Sequence, residues 1–108
     1  MVDEVPHDVF AALERAEPEL LARLARHGVV RVEWVVGFVE PYRVSAWLGT
    51  RTDAERDALP EAPFLAEVRE ILVAAGLPGD TARFECTVVQ SQETVDRDHQ
   101  GSWFYALR

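Results

Sequence analysis

The chain has 108 residues, 48% hydrophobic and 28% charged, which is the size and balance of one globular domain spanning 1–108 and far from disordered composition. Its net charge of −8, with no clustered basic face, excludes nucleic acid and anionic membrane surfaces as expected partners. All 11 basic residues are arginine, so Schiff-base chemistry, lysine bases and the phosphate-loop lysine are ruled out.

The start of the chain is acidic and carries Pro6, the reverse of the basic-then-apolar layout of a secretory leader. No apolar run approaches the roughly 20 residues that cross a bilayer, so the expectation is a cytoplasmic protein with no membrane span. Cys86 is the single cysteine, which leaves no internal disulfide and agrees with a reducing compartment.

Val9, Phe10 and Leu13 predict a helix capped by Asp8. Pro18 predicts a break, with a second helix starting at Pro18, buried through Leu20, Leu21 and Leu24, and stopped by Gly28. Residues 30–38 then alternate, with Val30, Val32, Trp34, Val36 and Phe38 on one side. Residues 42–49 alternate again, and the two segments predict an antiparallel hairpin. Thr52 and Glu55 form a capping box ahead of a short helix that Pro60 and Pro63 interrupt. A longer helix is expected from about Pro63 to Ala75, with Phe64, Leu65, Val68, Ile71, Leu72 and Ala75 as its apolar stripe, ended by Gly76, Leu77 and Pro78. Residues 82–89 read as a strand with Phe84, Cys86 and Val88 toward the core, and residues 103–107 as a closing strand.

The order α-β-β-α-β-β predicts an α+β two-layer sandwich, a four-stranded antiparallel sheet with helices on one face. Residues 96–101 would then be the tip of the last hairpin. Asp96-x-Asp98-x-Gln100-Gly101 resembles the opening of an EF-hand calcium loop, but the twelfth position, which needs a bidentate glutamate, is Leu107. Arg97 between two carboxylates also neutralises them locally.

Glu93, Asp96, Asp98 and His99 have the residue types for a metal or proton-transfer site without a recognised spacing, so no metal, cofactor or catalytic residue is assigned. Cys86, on the expected core face, reads as an inert small hydrophobe, and no serine stands in a nucleophile elbow.

Trp47 falls on the parity opposite Val44, Ala46 and Leu48, which places it on the uncovered side of the sheet. An aromatic among apolar neighbours there would anchor a protein partner or a second copy of the chain. The function predicted is therefore protein binding or regulation, adaptor-like or inhibitor-like, through the exposed sheet face and the polar loop from Ser91 to Gly101. Trp47, Glu93, Asp96, Asp98, His99 and Trp103 are the candidate binding residues. The competing expectation is a small enzyme or metal-dependent domain centred on the 93–99 cluster.

Overall fold

The computed structural model describes residues 7–37, 39–60 and 64–107. The first helix, α1 (His7–Leu24), runs straight through Pro18 instead of breaking there, and Asp8 lies in its first turn rather than capping it. Proline removes one backbone bond and crowds the preceding turn. Pro18 and Glu14 both lie on the exposed side of α1, where water can take the freed carbonyl. The apolar stripe through Val9, Leu13, Ala16, Leu20 and Leu24 is meanwhile buried without interruption. A 3-10 turn (Ala25–His27) follows, and Gly28 at φ 86° provides the left-handed stop expected of it.

Strands β1 (Val29–Val36) and β2 (Tyr42–Thr50) pair antiparallel, as the alternation predicts. A register shift between Val29 and Arg31 changes which valine enters the core. Val29 is buried while Val30 is 44% exposed, so the side assigned to Val30 is corrected, and alternation resumes with Val32 and Trp34. Phe38 and Pro63 lie outside the described residues.

Helix α2 (Asp53–Asp57) carries the capping box, with Thr52 Oγ1 accepting from Glu55 N–H and Glu55 accepting from Thr52 N–H, both at 3.1 Å. Helix α3 (Leu65–Ala74) buries Val68, Ile71 and Leu72. It closes as the sequence predicts, with Leu77 N–H donating to Leu72 O and Gly76 N–H to Val73 O, both at 3.0 Å, and Gly76 at φ 93°.

The second half of the chain departs from the expected hairpin. β3 (Ala82–Ser91) lies parallel to β2, in register from Tyr42 opposite Ala82 to Thr50 opposite Ser91. Helices α2 and α3 return the chain to the starting end of β2, and a return of that kind makes the next strand parallel. Residues 92–98 form a helix, α4 (Gln92–Asp98), in place of the hairpin tip, and residues 103–106 form a short helix, α5 (Trp103–Ala106), in place of the fourth strand. Serine caps explain both: Ser91 Oγ accepts from Thr94 N–H at 3.1 Å, and Ser102 Oγ accepts from Tyr105 N–H at 3.4 Å. The fold is thus α+β with a three-stranded mixed sheet ordered β1-β2-β3.

α1 and α3 cover one face of the sheet, and the core lies between them. Leu20, Leu24, Leu48, Leu72, Val44 and Val68 are fully buried there. Each such leucine contributes on the order of 1.5–3 kcal/mol by leaving water. Among the described residues no helix is long and apolar enough to cross a membrane.

Candidate functional site

Among the described residues, two features outside that core hold the candidate binding residues. The first is a polar clasp where the N-terminus of α2 meets that of α4. Asp53 opens α2, and its Oδ1 accepts hydrogen bonds from Ser91 Oγ and, at 2.7 Å, from Thr94 Oγ1. Its Oδ2 accepts from Arg97 Nη1 at 3.1 Å, and Arg56 Nη1 lies 3.4 Å from Oδ1. Arg56 Nη1 also donates to Gln90 Oε1 at 2.9 Å and to Thr94 Oγ1 at 2.8 Å. In return Glu93, in the first turn of α4, accepts from the backbone N–H of Asp53 at 2.7 Å. Glu93 therefore satisfies a backbone N–H at the start of α2, while Asp53 binds the side chains of Ser91, Thr94 and Arg97 at α4.

The hydroxyls of Ser91 and Thr94, then the guanidinium groups of Arg97 and Arg56, hold the Asp53 carboxyl far below the ordinary carboxylate range. Asp53 in turn raises Arg97, while Arg56 is raised first by Asp57 and then by Asp53. A general base works best with a pKa near the working pH, and Asp53 is displaced away from it. The chemistry of the clasp is mutual charge satisfaction, with its carboxylate already occupied by three donor side chains and the neighbouring Arg56 guanidinium.

The other candidates from the 93–99 cluster have separate partners. Asp96 accepts from Gln92 Nε2 at 2.9 Å, and Asp98 pairs with Arg97 at 3.3 Å. His99 closes α4, its backbone N–H donating to Val95 O at 2.9 Å. Among the described residues no three His, Cys, Asp or Glu side chains stand together as a metal-binding group. Trp103 and Asp96 are linked, since Trp103 Nε1 donates to Gln92 Oε1 at 2.8 Å and Gln92 also reaches Asp96.

The second feature is the sheet face that α1 and α3 leave uncovered. Trp47 lies on it, half-buried, between Glu33 of β1 and Val88 of β3, its register partners. Ser45 is flanked in the same way by Val35, which is 39% exposed, and by Cys86. Cys86 is exposed and donates to Ser45 Oγ at 3.4 Å, which corrects its expected core position. The register shift at β3, which pairs Phe84 with Val44 but Cys86 with Ser45, turns the thiol outward and with it Val88, also expected in the core.

One end of this face is closed by Trp103, which is 6% exposed. Its ring lies over Gly49, where an added Cβ would come within 2.9 Å of it, and Arg31 sits 5.1 Å above the ring centroid. The remaining strip, from Trp47 to the Arg43–Glu85 ion pair at 3.4 Å, is bare sheet.

A groove of about 520 Å³ between α1 and α3 is lined by Arg15, Glu19, Arg23, Glu70, Ile71 and Ala75, among others. Its arginines are engaged, Arg23 with Glu19 at 3.0 Å and Arg15 Nη2 with Ala75 O at 2.6 Å. None of Trp47, Glu93, Asp96, Asp98, His99 and Trp103, the candidate binding residues from the sequence, lines it.

Sequence reading missed Asp53, Arg56, Gln90, Ser91 and Thr94. Ser91 followed by Glu93 in a first turn and Arg97 in a last turn was the available signal for α4. Compared with family models, with curated proteins and with solved structures, the chain matches none of them.

Proposed function

We propose that the chain is a protein-binding module, regulatory or adaptor-like, and that its contact surface is the open face of the sheet with Trp47 as the anchor. The observation that carries this reading is a half-buried tryptophan between Val88 and Glu33, one pair along from Val35 and Cys86, on the part of the sheet face that no helix covers among the described residues. Large aromatics in apolar surroundings supply most of the binding energy of protein interfaces. Trp103, by contrast, is 6% exposed and packed against Gly49.

Asp96, Asp98 and His99 on α4 would serve as a polar rim beyond Trp103, while Glu93 is committed to the clasp. The clasp contributes by fixing α4, and through it Trp103, against the end of the sheet.

The test is affinity capture from native cells with the wild type and with Trp47→Asp, compared protein by protein. At least one protein should be retained by the wild type and lost about tenfold or more with the variant, the effect of removing about 1.4 kcal/mol or more of binding energy. Identical profiles from two folded baits would refute the reading.

A further inference from the structure

We infer that the occupant of the open face is a second copy of this chain, packed sheet against sheet about a two-fold axis. The inference rests on the reading of that face as a contact surface, and it adds the identity of the partner.

Charge is the first ground. The chain carries −8, so two copies repel over most of their surfaces. The open face carries no excess of negative charge: Arg31, Arg43 and Arg83 stand on it with Glu33 and Glu85. The glutamates are paired there, Arg31 Nη2 with Glu33 at 2.6 Å and Arg43 with Glu85 at 3.4 Å. A cationic partner would be steered to the acidic remainder of the surface. A second acidic copy meets least repulsion on this face.

Shape is the second ground. Trp47, the bulkiest side chain of the strip, is followed two residues back by Ser45, with Cys86 next to it in register. A large side chain thus stands beside a shallow place lined by two small ones. A two-fold axis passing between them lays each Trp47 over the partner's small residues, so the same patch serves both copies. Two sheets stack in this way about 10 Å apart.

Size sets the strength. With one end taken by Trp103, the strip offers on the order of half of the roughly 800 Å² per partner that a standard interface buries. The dimer is therefore weak and reversible.

Sedimentation velocity from micromolar to millimolar concentration tests this, on the wild type, Trp47→Asp and Val35→Arg, with circular dichroism to establish that each is folded. The wild type should pass from monomer to dimer, and each variant should raise the dissociation constant about tenfold or more. Cys86 is the chain's one thiol, so a short bismaleimide should link wild-type copies through it and should fail to link the variants. If Trp47→Asp does not fold, Val35→Arg, on an exposed position, decides alone. A wild type that stays monomeric to millimolar concentration overturns the inference, as does a dimer that both variants leave intact. A monomeric wild type that still captures another protein in a Trp47-dependent way removes only the second copy as occupant. A monomeric wild type with capture independent of Trp47 removes the reading of the face as well.

Discussion

Asp53 gathers hydrogen bonds from residues 38 to 44 positions away, which is why nothing local in the sequence marked it. A carboxylate in a helix's first turn is common, and its cross-links to α4 exist only once β3 has brought Ser91 beside it. Its folded pKa is depressed below the unfolded value near 4, so the stability it confers is present above that pH and is lost as pH falls below it. Urea unfolding at pH 7 and pH 3 should show a larger loss for the wild type than for Asp53→Asn, which has no carboxylate to protonate at this position. Gly49 is the other residue whose role required the fold. Its missing side chain is the seat of Trp103, with Trp103 and Arg31 atoms 2.9 to 3.0 Å from where a Cβ would be. Gly49→Val should cost about 1–3 kcal/mol by overpacking and should shift the tryptophan emission as Trp103 is displaced. Trp47, by contrast, was legible from parity alone, because alternation through Val44, Ala46 and Leu48 fixes which face it takes.

At the scale of elements, legibility followed the strength of the hydrophobic period. α3 was readable because three buried residues and a glycine stop agree, and β1 with β2 because two alternating runs flank a short connection. α4 has Val95 as its sole buried apolar side chain and is made by caps and cross-helix bonds, so periodicity was silent. The direction of β3 escaped for a different reason: alternation reports faces, not which strand lies alongside or which way it runs. The register shift at β3 is equally invisible in sequence and it alone moved Cys86 outward. The cap of α4 predicts its own test. Ser91→Ala removes both the cap of Thr94 N–H and a donor to Asp53 and should destabilise by about 1–2 kcal/mol in chemical denaturation. Because α4 carries Gln92, whose side chain accepts from Trp103 Nε1, hydrogen exchange should rise in both α4 and α5, while α1 and β1 stay protected.

The whole molecule divides its labour between two faces of one sheet. α1 and α3 bury one face in a continuous core, and Leu20→Ala or Leu72→Ala in that core should cost about 2–5 kcal/mol. Among the described residues the other face is covered at its Trp103 end, and the clasp holds that cover in place. What is left is a strip whose glutamates are paired with arginines, with Trp47 at its centre, on a chain of net charge −8. The outer side of α3 offers a comparison surface, since Val73 is 69% exposed there. The most direct measurement puts a photo-crosslinking benzoylphenylalanine at position 47 in one variant and at position 73 in another, expressed in native cells. Protein adducts are expected from position 47, including the chain cross-linked to itself, with a marked deficit from position 73. Adducts from position 73 with none from position 47 would contradict the reading of the open face as a contact surface.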